Sequence, residues 1–137
     1  MTNGYVDIKI GADTYSLFFG RQSVEEFARR TEKYLSDNSF KIATDMTFAG
    51  LANFATKHDI PVMDYEQVYN LMEEFSDQDD YAEQYEKVTR TFWESKYGAS
   101  YQEKLKELKK KLEAEMAQEA EKVVSKTKKR SQSTGTT

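Results

Sequence analysis

The chain has no cysteine, one proline and one histidine among 137 residues. Without cysteine there are no disulfides, no thiolate nucleophile and no thiolate zinc site. The single histidine, His58, has no second imidazole to share a metal and no serine or cysteine arrangement around it to activate. No apolar run approaches the roughly 20 residues needed to cross a bilayer. The start, Met1-Thr2-Asn3-Gly4-Tyr5, lacks the basic and apolar segments of a signal peptide. The expected product is soluble and intracellular, with no membrane association. Phosphate-binding glycine patterns are also missing. The net charge of −4 argues against nonspecific binding to nucleic acid.

Two regions of different character remain. Residues 1–97 are rich in apolar and aromatic side chains and read as one small domain, a hairpin followed by helices. Residues 98–125 read as a long charged helix, and residues 126–137 as a disordered, basic and polar tail. The fold class is therefore mainly α, a small helical domain with an N-terminal β-hairpin and a long charged C-terminal helix.

Tyr5 to Ile10 alternates, with Val6, Ile8 and Ile10 on one side and Asp7 and Lys9 on the other. Gly11-Ala12-Asp13 makes a turn, and Thr14 to Phe19 resumes the alternation with Tyr15, Leu17 and Phe19. A lone hairpin is marginal in water. It needs a helix behind it or a neighbouring subunit beside it. Ser23 with Glu26 fits a capping box opening a helix whose stripe is Val24, Phe27, Ala28, Thr31, Tyr34 and Leu35, ended by Asp37-Asn38-Ser39. A second helix, Thr44 to Lys57, is the most apolar and is expected at the centre. Within it, Gly50 leaves room for another helix to come close. Pro61 closes that segment.

Asp64-Tyr65-Glu66-Gln67 signals a third helix, with Val68, Leu71, Met72 and Phe75 as its stripe. Tyr81, Tyr85, Val88, Phe92 and Trp93 form a fourth, stopped by Gly98. Ser100 to Glu103 reads as the cap of the last helix. There Tyr101, Leu105, Leu108, Leu112, Met116, Ala120 and Val123 recur at steps of four, three, four, four, four and three. That spacing is nearer the 3.6 of a straight helix than the 3.5 of a long zipper, and suits packing on a partner or short local pairing.

Nothing along the chain assembles into a reaction centre. Asp77, Asp79 and Asp80 lack the central glycine and final glutamate of a calcium loop and are read as helix capping. His58 suits a helix end. Phe19-Gly20-Arg21 is a tight exit from the hairpin, with Arg21 available to a partner carboxylate. No catalytic residue, cofactor or metal is expected.

The segments Gly4-Tyr5-Val6-Asp7-Ile8, Leu17-Phe18-Phe19-Gly20, Val24-Glu25-Glu26-Phe27, Phe48-Ala49-Gly50-Leu51-Ala52-Asn53-Phe54 and Asp64-Tyr65-Glu66-Gln67-Val68-Tyr69 recur in one familiar order. Together they resemble the tail assembly chaperones of long-tailed bacteriophages. The likeness spans roughly residues 4–75. It implies a mainly helical, non-catalytic protein of the host cytoplasm that binds and solubilises the tape measure protein, helps recruit tail tube protein and is not retained in the mature virion. It also implies, as in many such phages, a longer product made by programmed frameshifting. Candidate neighbourhoods for that site are Lys109-Lys110-Lys111 and Lys126-Thr127-Lys128-Lys129.

The protein-contact candidates are Phe18, Arg21, Gly50, Leu51, Phe54, Tyr65 and Tyr69 in the first region. Leu105, Leu108, Leu112 and Met116 are the candidates in the last helix. Self-association is expected, since repeated carriers on one client gain avidity by touching each other. The alternative reading is a small intracellular adaptor or regulator that contacts nucleic acid through the basic end, Lys126 to Arg130.

Overall fold

The computed structural model describes residues 3–32 and 38–134, with side chains described as far as residue 121 and that of Glu32 excepted. The elements are β1 (Tyr5–Ile10), β2 (Asp13–Phe18), α1 (Arg21–Glu32), α2 (Ser39–Lys57), α3 (Tyr65–Ser76), α4 (Tyr81–Glu94) and α5 (Lys96–Thr134). They group into two compact units, Met1–Tyr101 and Gln102–Thr137. The chain is mainly helical, with an N-terminal hairpin and a long C-terminal helix.

β1 and β2 pair antiparallel, with Val6 opposite Leu17 and Ile8 opposite Tyr15. Ile8, Ile10, Leu17 and Phe19 are buried, so the face expected to be apolar is the one that packs. Its support is α2, which also touches α1, α3 and α4. The hairpin comes close to α2 at Gly50. A Cβ there would lie 2.8 Å from both Leu17 Cδ2 and Phe19 Cε1. The gap left by Gly50 is thus filled by the hairpin, not by a neighbouring helix.

Helix ends differ from the sequence reading in instructive ways. Ser23 is not the cap of α1, which starts at Arg21. Ser23 Oγ instead donates to the Gly20 carbonyl at 2.8 Å. The capping acceptor comes from α2: Asn53 Oδ1 receives the Gly20 N–H at 2.9 Å and the Ser23 N–H at 3.2 Å. Glu26 pairs with Arg29 and Arg30 rather than reaching back.

The end of α1 beyond Glu32, including Tyr34, Leu35 and Asp37, lies outside the described residues. Asn38 opens α2, accepting from Lys41 N at 3.2 Å, so that helix begins about one turn before Thr44. Asp64 and Gln67 do form the capping box of α3.

The break between α4 and α5 is Ser95, not Gly98. Ser95 Oγ donates to the Phe92 carbonyl at 2.6 Å and accepts the Gly98 N–H at 3.1 Å. Gly98 sits inside the first turn of α5, where a Cβ would meet the Phe92 carbonyl oxygen at 1.8 Å. Ser100 is an interior residue whose Oγ donates to the Lys96 carbonyl at 3.2 Å. The helical backbone continues to Thr134, into the stretch 126–137 that the sequence reads as a disordered tail.

The core of the first unit is aromatic at its α1–α4 side. Phe92 makes edge contacts with Phe19, Phe27 and Trp93 at ring separations of 5.3, 4.9 and 4.8 Å. Trp93 in turn lies 6.1 Å from Tyr101. On another face Tyr81 stacks on Tyr85 at 5.6 Å, and burial pushes the Tyr85 phenol well above its ordinary value.

Two predictions follow from these packing details. Gly98→Ala forces the new Cβ against the Phe92 carbonyl and lowers unfolding free energy by about 1–3 kcal/mol, read from urea titration. Because folding raises the Tyr85 pKa from 10.0, its stabilising contribution is whole below about pH 10 and is lost as pH rises further. Tyr85→Phe therefore shifts the alkaline unfolding midpoint to higher pH, measured by circular dichroism. An unchanged midpoint means Tyr85 does not govern that transition.

Candidate interaction surface

The two edges of the hairpin are treated differently. In the register observed, Asp13, Tyr15, Leu17 and Phe19 exchange backbone bonds with β1, and Phe19 N donates to the Gly4 carbonyl at 2.8 Å. The outward edge of β1 is covered at its turn end, at Lys9 and Gly11, by two glutamine side chains. Gln84 Oε1 accepts from Lys9 N at 2.6 Å, and its Nε2 donates to the Lys9 carbonyl at 2.9 Å. Gln78 Oε1 accepts from Gly11 N at 2.7 Å, and its Nε2 also reaches the Lys9 carbonyl, at 3.1 Å. Both amides are oriented by Asp80, one on each carboxylate oxygen. Each glutamine thus acts as a short mimic of a neighbouring strand.

Asp80 stands at the N-cap of α4 but makes no side-chain cap bond there. Its role is to hold the glutamines. Among the described residues no group of three His, Cys, Asp or Glu side chains is placed to hold a metal ion.

The outward edge of β2 has no such cover. The alternation turns the backbone groups of Thr14, Ser16 and Phe18 away from β1, and among the described residues no hydrogen bond reaches them. Alongside runs a concavity of about 290 Å³. It is lined by Thr14 to Ser16, by Leu51, Phe54 and Ala55 of α2, and by Ile60, Pro61 and Met63.

The helix end builds this wall. Asp59 has a positive φ of 54°, which turns the chain back. Asp59 N then bonds the Thr56 carbonyl and Ile60 N the Ala55 carbonyl. That pattern brings Ile60 against the last turn of α2. Ile60 and Val62 remain 48% and 52% exposed.

At the end of β2, Phe18 packs on Tyr5 at 4.6 Å, and Lys57 Nζ lies 3.9 Å from the Phe18 ring centre. The His58 ring lies tilted 4.3 Å from that of Phe54, and its Nε2 is 3.3 Å from the Tyr5 hydroxyl.

The expected contact residues therefore separate into groups. Leu51 and Phe54 come together in the concavity, whereas Phe18 packs on Tyr5 and Lys57. Gly50 is buried beneath Leu17 and Phe19, so it serves packing and is closed to a partner. Arg21 is exposed but paired with its own Glu25 at 2.9 Å.

Tyr65 and Tyr69 belong to a separate cluster. The Tyr65 hydroxyl donates to the buried Asp45 at 2.6 Å, and Lys41 Nζ reaches the same carboxylate at 3.3 Å. The Tyr65 ring carries the Arg30 guanidinium at 4.5 Å. Tyr69 meets the edge of Phe40 at 5.2 Å and keeps 40% exposure. In the second unit Leu105, Leu108, Leu112 and Met116 are 39%, 54%, 52% and 70% exposed.

Gln78, Gln84 and Asn53 escape a sequence reading, because a polar residue on a helix gives no sign of which distant backbone it will meet. Ile60 and Val62 had a signal in the short apolar run Ile60-Pro61-Val62-Met63.

Comparison with protein-family models, curated proteins and solved structures finds no match. The functional reading accordingly rests on the residues and their geometry.

Gln84→Ala strips the β1 edge of its acceptor and leaves Lys9 N unpaired. It is expected to cost about 1–3 kcal/mol and to speed hydrogen exchange at the Lys9 amide. Unaltered exchange there refutes the sealing role.

Proposed function

We propose that this protein is a non-catalytic tail assembly chaperone that binds and solubilises the phage tape measure protein and helps recruit tail tube subunits. The observation that carries the reading is the open β2 edge beside an apolar concavity, with Ile60 and Val62 left out in solvent next to it. An exposed strand edge supplies backbone hydrogen bonds to a bound segment, and adjacent apolar pockets take its side chains. A long ruler protein displays apolar stripes that aggregate unless covered. Of the five segments that resemble the chaperones, Phe48 to Phe54 contributes Leu51 and Phe54 to the helix wall of this surface.

On this reading many copies coat one client in the host cytoplasm. Tube subunits then displace them, and the carrier does not remain in the virion. No nucleotide is consumed. The occupant of the concavity is an apolar segment of the client.

Co-expression should raise the soluble yield of the tape measure protein and co-purify it. Ile60→Asp with Val62→Asp alters exposed side chains only. The double variant should keep its melting temperature and lose client capture by tenfold or more, since each buried aliphatic side chain contributes about 1.5–3 kcal/mol. Full capture by that variant, or no gain in client solubility with the parent chain, overturns the proposal.

A further inference from the structure

The second unit carries an apolar stripe that no other element of that unit covers. Leu105, Leu108, Leu112 and Met116 are all exposed along α5. Helices hold together mainly by packing such a stripe, because intrinsic propensity alone is marginal. The charges beside it are divided into blocks. From Lys104 to Lys111 there are five lysines and one glutamate. From Glu113 to Glu121 there are four glutamates and no basic residue. The boundary between the blocks is Leu112, the middle of the stripe.

We propose that α5 pairs with α5 of a second copy of this chain, antiparallel, with Leu112 on the two-fold axis. An antiparallel pair centred there sets Leu108 against Met116 of the second copy and Leu112 against its equivalent. Residues on one flank of a helix then face the same flank of the other. This places Lys109 across from Glu113 and Lys111 across from Glu115 of the second copy. The two-fold axis repeats each pair, as a self-complementary interface requires.

A parallel pair meets the opposite arrangement. It sets Lys109 beside Lys111 and Glu113 beside Glu115, like against like, which is the device by which charge selects orientation. The stripe spacing near 3.6 fits two nearly straight helices touching over a few turns and does not need a long supercoil. This inference stands apart from the chaperone reading, since it concerns the purified chain with no client present.

The test uses full-length protein, whose lack of cysteine makes single-cysteine variants clean. Under mild oxidation Leu112→Cys should cross-link to itself. Leu108→Cys and Met116→Cys should each stay uncross-linked alone and form a mixed disulfide when combined. The eight-residue offset holds like positions about 12 Å apart, beyond disulfide reach. Efficient self-cross-linking of Leu108→Cys and of Met116→Cys indicates a parallel pair and overturns the proposal.

Sedimentation of charge variants gives an independent reading. K109E/K110E/K111E makes the described charges of this stretch chiefly acidic, and E113K/E115K/E119K makes them chiefly basic. Each should self-associate about tenfold or more weakly than the parent chain, and an equimolar mixture should recover the pair. A parent chain that sediments as a monomer at all concentrations overturns the proposal, as do variants that associate as the parent does.

Discussion

The contact on which the first unit depends is the seating of the hairpin on α2 at Gly50. Two strands of six residues each cannot hold their own pairing in water. Leu17 and Phe19 supply the burial that makes the hairpin persist, and they can do so because position 50 has no side chain. Glycine in a helix interior costs about 1 kcal/mol against alanine. Here that cost is offset by burying a leucine and a phenylalanine against the helix. Asn53, one turn further along α2, caps the start of α1. A single stretch of α2 therefore places the hairpin, the turn after it and the next helix.

From that seating comes the asymmetry of the sheet. Once the inner face lies on α2, the β1 edge falls within reach of Gln84 on α4 and Gln78 just before it. Their amides occupy the donor and acceptor positions that a third strand would use at Lys9 and Gly11, so the turn end of that edge is closed to pairing. The β2 edge instead looks over the last turns of α2 and the segment from Ile60 to Met63. Its neighbours are apolar side chains, which cannot satisfy backbone groups. Such an edge stays receptive to an added extended segment, and the proposed client-binding role draws on this chemistry.

The polar interior has a consistent logic. Asp45 is buried, yet it receives a tyrosine hydroxyl and a lysine ammonium, and Tyr65 is clamped between that carboxylate and Arg30. A buried carboxylate without such partners would be costly. Tyr65 is consequently engaged in joining α1, α2 and α3, a structural duty its sequence setting at a helix start does not announce. The exposed ion pairs, Arg21 with Glu25 and Arg90 with Glu86, contribute little by comparison.

Periodicity alone determined the hairpin faces, the helical stripes, the capping box at Asp64 and Gln67, and the unsatisfied stripe of α5. These depend on the chain's nearest neighbours in sequence, and local geometry fixes which side chains share a face. The same local logic misplaced Ser23 and Gly98, because each is governed by a partner or a space that short sequence patterns do not describe: Asn53 from α2 beside Ser23, Phe92 from α4 against Gly98. Only the tertiary structure decided that Gly50 receives a strand, that Gln78 and Gln84 close the turn end of one sheet edge, and that Leu51 and Phe54 meet Ile60 at the other edge. A side-chain amide or an absent Cβ acts on whatever backbone the fold brings to it, and that neighbour lies tens of residues away along the chain.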